Sequence, residues 1–146
     1  MENSTERALK LFIVLSRSCK VILDEAHQLI DKYGLNPTEF GVLELLYHRG
    51  RQPIQKIGSK ILLRSGSMTY VVDKLEKRGY LERVLCSDDK RVTYISITEA
   101  GVELIESIFP EHSKNIESLM SGLSSDEQNT AIDLLKKLGL SVRDLS

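Results

Sequence analysis

The stretch RSGSMTYVVDKLEKRGYLERVLCSDDKRVTYISIT, Arg64 to Thr98, changes its period halfway along. Met68, Val71, Val72 and Leu75 stand at i, i+3, i+4 and i+7, the narrow apolar face of a helix packed on a core. Gly79 stops that helix. Beyond it, YLERVLC and RVTYISI are rich in β-branched and aromatic residues and predict two strands. Between them Asp88, Asp89, Lys90 and Arg91 form the charged tip of a β-hairpin. A hairpin tip is exposed, so these charges face solvent or a partner.

Upstream, from Thr5 to about Tyr33, the apolar residues Leu9, Phe12, Ile13, Cys19, Ile22, Leu23, Ala26, Leu29 and Ile30 trace a helical stripe. That helix has about seven to eight turns, more than a compact domain of this size needs, and such helices often bury their spare face against a partner. LNPTEFGVLELLYHRG begins a second helix: Asn36 is the N-cap, Pro37 fits the first helical position and Glu39 completes a capping box, while Gly50 ends it. PIQKIGSKILL predicts a short third helix with Ile54, Ile57 and Ile61 on one face, and the turn LLRSG leads into the fourth. After the hairpin, Thr98 caps a helix through EAGVELIESIF that Pro110 should kink or interrupt. Ser124 and Glu127 have capping-box spacing for a last helix with the stripe Ala131, Leu134, Leu135 and Leu138. Two helices, a brief turn and a hairpin make a winged helix-turn-helix, mainly α with a small β wing.

The chain has 146 residues, 41 % hydrophobic and 28 % charged, and a formal net charge of −1. Length and composition fit a single globular domain. The charge is unevenly placed: Arg49 to Arg91 holds eleven bases against five acids, a surplus of six, which leaves −7 for the flanks. A basic centre between acidic arms is the footprint of a polyanion-binding surface.

On the fourth helix, the face opposite the apolar stripe carries Gly66, Tyr70, Asp73 and Lys77, flanked by Ser67, Thr69 and Lys74. Gly66 removes bulk near the helix N-terminus, where backbone amides meet phosphate. Arg64, Ser65, Ser67 and Thr69 supply donors for phosphates or base edges, and Tyr70 offers a ring to a thymine methyl or a hydroxyl to a phosphate. Neither Arg, Asn nor Gln stands in the first two turns, so bidentate base reading is thin and specificity leans on DNA shape and half-site spacing. At the wing, Arg91 suits a narrow minor groove, Lys90 a phosphate, and Asp89 would orient the Arg91 guanidinium.

With those residues in view, the chain resembles the MarR family of bacterial transcription regulators over nearly its whole length. The resemblance is most specific in GSMTYVVDKLEKRGYLER and DDKRVTYISITEAG: Asp89 and Arg91 fill the family's Asp-x-Arg, and Ile97, Thr98 and Gly101 fill its LT-x-x-G. LNPTEFGVLELL also resembles the family's second helix, with Leu35 and Asn36 where Leu-Thr is usual. The resemblance implies a homodimer held by residues 1–35 and 99–146, with 36–98 as the DNA-binding lobe of one domain. It further implies pseudo-palindromic operators in double-stranded DNA, repression in most cases, and often release by a small phenolic or other lipophilic inducer. Some members instead sense oxidants through a cysteine. The peroxide-sensing position falls near Leu9, where this chain has no cysteine.

Cys19 and Cys86 are the cysteines available for such sensing. Cys19 lies on the apolar stripe, which predicts burial. Cys86 adjoins the wing, with Arg83, Lys90 and Arg91 near enough in sequence to lower its pKa. No CxxC is present and His27, His48 and His112 are scattered, so no metal or cofactor is expected. MENSTERALK has no signal-peptide character and no apolar run approaches a membrane span, which points to the cytoplasm. Enzyme motifs such as G-x-S-x-G, a phosphate loop or H-E-x-x-H are absent from the sequence. The alternative to a DNA-binding regulator is a winged-helix module that binds protein through its long helices.

Overall fold

The computed structural model describes residues 3–61, 67–85, 88 and 91–145. In chain order it contains α1 (Ser4–Lys32), α2 (Pro37–Arg49), β1 (Gln52–Pro53), α3 (Ile54–Lys60), α4 (Met68–Lys77), β2 (Leu81–Leu85), β3 (Thr93–Ile97), α5 (Glu99–Leu119) and α6 (Ser125–Leu145). Two compact units are separated at residue 112: Met1–His112 and Ser113–Ser146.

Local chemistry sets most helix starts. The Asn36 Oδ1 accepts the Glu39 amide at 2.8 Å while the Asn36 amide donates to Glu39 Oε1 at 2.9 Å. The same reciprocal pair recurs at Ser124 and Glu127, at 3.2 and 2.9 Å. A third box, Asn3 with Glu6, starts α1 and was not among those anticipated. Each satisfies amides that the first turn leaves without intrahelical acceptors.

In the first unit, Ile30 and Leu35, with Leu43 and Leu46 of α2, Ile57 of α3, Val72 and Leu75 of α4, Leu81 and Ile95 of the sheet, and Ile105 and Ile108 of α5 form one buried cluster. The expected face of α4 is therefore inward, with Met68 partly buried beside it. The sheet is antiparallel in the order β1-β3-β2, with Arg83 opposite Ile95 and Gln52 opposite Ile95 on the other edge. β1 adds a strand that the sequence pattern did not announce: two residues are too few to show a period.

Two expectations are corrected. Pro110 does not interrupt α5, which is continuous from Glu99 to Leu119. Proline removes a single amide donor, and Ile105 and Ile108, five and two residues earlier, are completely buried and hold the helix in place. Cys19 is exposed, not buried, because α1 enters the core only at Ala26, Leu29 and Ile30. The outer part of α1 carries Leu9, Leu11, Phe12, Ile13, Val14 and Leu15 on the surface. Among the described residues, no helix is long and apolar enough to cross a membrane.

Candidate nucleic-acid interface

Helix α4 begins at Ser67, whose hydroxyl oxygen accepts the Tyr70 amide at 3.4 Å. Ser67 is thus an N-cap as well as an exposed hydroxyl. Because Val71, Val72 and Leu75 point into the core, Thr69, Tyr70 and Lys77 are turned to solvent, and Tyr70 is 69 % exposed. An aromatic ring this exposed makes little contribution to folding and is available to a partner. Arg64, Ser65, Gly66, Asp89, Lys90 and Cys86 lie outside the described residues. Arg91 is exposed just before β3. The candidate residues that are described therefore lie on one helix face and beside the start of β3.

Lys74 takes a more complicated position than the helical wheel assigns. Its ammonium lies 3.5 Å from Glu39 Oε2, and the Arg78 guanidinium lies 3.7 Å from the same oxygen. Glu39 is 2 % exposed, with Oε1 engaged in the α2 capping box. Among the described residues Oε2 has no hydrogen-bond partner, and the two nearby cations offset its burial through their charge. Arg78 also donates to the Gly34 carbonyl at 3.0 Å and stacks over Tyr80. These contacts fasten α4 to the start of α2, and Lys74 keeps about half its surface in solvent.

Sequence reasoning also missed Arg83. From β2 its guanidinium donates to Asp73 and to Glu76, which are one helical turn apart on α4, and its backbone amide donates to Glu76 Oε2 at 3.3 Å. The hydrogen bond to Asp73, followed by the attraction of both carboxylates against some desolvation, raises the guanidinium pKa further above its ordinary value. Asp73, read from the wheel as part of the outer face, is thus engaged with the base of the wing. The only signal available beforehand was the i, i+3 pair of acids facing a single base seven residues on.

A second group of side chains gathers where α2 meets α5. Phe40 and His112 are 5.0 Å apart edge to face, His48 and Phe109 are 5.3 Å apart, and Tyr47 stands against His48 at 5.0 Å. The Nδ1 of His112 is buried without a hydrogen-bond partner among the described residues. Tyr33, the C-cap of α1, donates its hydroxyl to Glu111 at 2.6 Å, tying the end of α1 to α5.

The MarR family model matches residues 35–93, from the start of α2 into β3. The HTH-type transcriptional regulator MhqR of Bacillus subtilis is 53 % identical over 139 residues, covering 95 % of this chain and 96 % of that one. The transcriptional repressor MprA of Escherichia coli is 29 % identical, with 86 % of this chain and 75 % of the other covered. Among solved structures, Sco3205 of Streptomyces coelicolor, a MarR family regulator in complex with DNA, has a TM-score of 0.81 at 17 % identity, covering 95 % of this chain and 88 % of that one. Fold, sequence likeness and a match through the whole helix-turn-helix agree: the chain belongs to the MarR family, whose members are transcriptional regulators and not enzymes.

Proposed function

We propose that this protein is a cytoplasmic homodimer that represses transcription by occupying pseudo-palindromic sites in duplex DNA. Residues 36–98 form the reading lobe in this account, and residues 1–35 and 99–146 the pairing region. The observation that carries the reading is the division of α4 into a buried apolar face and an exposed face with Thr69, Tyr70 and Lys77. A helix of this kind fits the major groove, while Arg91 on the adjoining wing suits the minor groove. Pairing is supported by surface apolarity: thirteen of the sixteen large exposed hydrophobic residues among those described belong to α1 and α6. Side chains left so exposed in one chain are covered when a second copy is present.

Release by a small phenolic ligand is the corresponding regulatory reading. The aromatic and histidine group of Phe40, Tyr47, His48, Phe109 and His112 supplies ring faces, and the unpartnered His112 Nδ1 is suited to a hydroxyl. NadR, whose solved structure in complex with 4-hydroxyphenylacetate has a TM-score of 0.71 to this chain, provides a parallel at the level of fold.

The test is enrichment of duplexes from a randomised pool by the purified protein, followed by titration of the enriched duplex at several salt concentrations. An inverted repeat and a log–log salt slope of about −0.9 per phosphate contacted support the reading. Failure to enrich any duplex, even at low ionic strength, overturns it and favours a protein-binding role for the winged helix.

A further inference from the structure

Arg83 is placed where the wing leaves the body of the protein. Strand β2 follows α4 through the tight turn at Gly79, whose φ is +84°, and the Tyr80 amide closes that turn on the Leu75 carbonyl at 3.0 Å. Among the described residues, the backbone hydrogen bonds that join the hairpin to α4 are at its very start. Two residues into β2, the Arg83 guanidinium reaches back to Asp73 and Glu76, and its own amide donates to Glu76 as well. A planar guanidinium with several donors in fixed directions can hold two carboxylates at once, which an ammonium on a flexible stem does much less well.

We propose that Arg83 is a positioning residue for DNA recognition, fixing the angle between the recognition helix and the wing so that Tyr70 and Arg91 meet adjacent grooves as one rigid body. The inference rests on the DNA-binding reading above and assigns Arg83 no contact with DNA. At the usual rise of about 3.3 Å per strand residue, a lever arm of about five residues is about 17 Å long, so a tilt of about 10° at its base moves its far end by about 3 Å. A displacement of that size separates a guanidinium from its groove. The clamp is also partly exposed, with 31 % of the Arg83 side chain accessible, so its loss has little effect on folding.

Positioning and simple charge make opposite predictions, which allows a direct test. Binding is measured by fluorescence anisotropy on the enriched duplex and on a scrambled duplex of the same composition, with thermal unfolding followed in parallel. Arg83→Ala is expected to weaken binding to the enriched duplex about tenfold or more while changing binding to the scrambled duplex by less than about threefold. Arg83→Lys, which keeps the charge but not the fork, is expected to recover only part of the loss. The decisive variant retains Arg83: Asp73→Asn with Glu76→Gln removes two negative charges near the DNA face, and electrostatics alone predicts tighter binding to both duplexes. Positioning predicts weaker binding to the enriched duplex. Wild-type affinity in Arg83→Ala, or tightened binding to the enriched duplex in the double variant, overturns the inference. A wild-type protein that binds no duplex overturns the underlying functional reading instead.

Discussion

A methyl group built on Gly101 would lie 2.2 Å from the Tyr80 carbonyl oxygen and 2.7 Å from a carbon of Ile97. Gly101 is in the first turn of α5, and Tyr80 opens the hairpin, so this close approach joins the base of the wing to the helix that follows it. Thr98 completes the junction. Its amide donates to the Tyr80 carbonyl at 3.1 Å, its hydroxyl donates to the Gly79 carbonyl at 2.6 Å, and the same oxygen accepts the Gly101 amide at 3.2 Å. The sequence element Ile97-Thr98-x-x-Gly101 thus has a steric and hydrogen-bonding cause.

Gly101→Ala should accordingly be among the most damaging small substitutions in the chain. Backbone atoms on one side and a packed isoleucine on the other leave no flexible group to yield, so the cost is expected at about 2–3 kcal/mol, near the upper end for overpacking. Thermal or urea unfolding measures it. Gly122→Ala is the control: nothing lies within 4 Å of the added methyl group, and stability should hardly change. Equal effects at the two positions would contradict the steric account.

How much of this was legible beforehand depended on range along the chain. Asn36 with Glu39, Ser124 with Glu127 and the cap at Thr98 were all readable, because a cap is a contact three residues long. The inward face of α4 was readable for the same reason, since its period is set by the helix itself. Arg83 with Asp73 was not, because which acid a base finds across a turn depends on where the strand lands. Lys74 was assigned to the flank of the outer face from its wheel position, and what the wheel could not show is that its ammonium lies toward Glu39, a residue thirty-five positions earlier that the packing of α2 on α4 brings near. Cys19 shows the converse limit: a stripe announces an apolar surface but not whether the chain's own core or a partner covers it.

For the wing, Arg91→Ala should weaken binding to the enriched duplex about 10–100-fold while leaving the fold intact, the effect of losing one well-placed arginine. Asp89→Ala is expected to give nearly the same loss. Removing an acid beside DNA would strengthen binding if charge alone mattered, so the direction of the change identifies the orienting role of Asp89. Tighter binding in Asp89→Ala would contradict it.

The hydrogen bond from Tyr33 to Glu111 should leave a signature in alkali. That hydrogen bond above all, then desolvation and the negative charge of Glu111, raises the Tyr33 pKa above its ordinary value of 10.0. Since the folded value exceeds the unfolded one, the stabilisation from this contact is fully present below the unfolded pKa and is lost as pH rises through the folded pKa. Near-ultraviolet difference absorbance between the wild type and Tyr33→Phe isolates this phenol from the other tyrosines. Its ionisation should come above the ordinary value of 10.0, and a midpoint at that value would show that the contact does not persist in solution.

The strongest demand for a second copy comes from α1. Leu9, Leu11, Phe12, Ile13, Val14 and Leu15 are exposed and lie around nearly the whole circumference of the helix, with Phe12 at 67 %. A stretch so rich in exposed apolar side chains is stable in water when a neighbour covers it. Covering a side chain the size of Phe or Leu contributes about 1.5–3 kcal/mol, so a few such residues suffice for a tight association. Phe12→Asp places a charge in that surface and should shift the protein from dimer to monomer in sedimentation equilibrium at micromolar concentration. Binding to the full inverted repeat should fall with it, because two half-sites are then no longer held by one molecule. A Phe12→Asp protein that stays dimeric would place the pairing surface elsewhere, and one that becomes monomeric yet binds the full repeat unchanged would separate pairing from recognition.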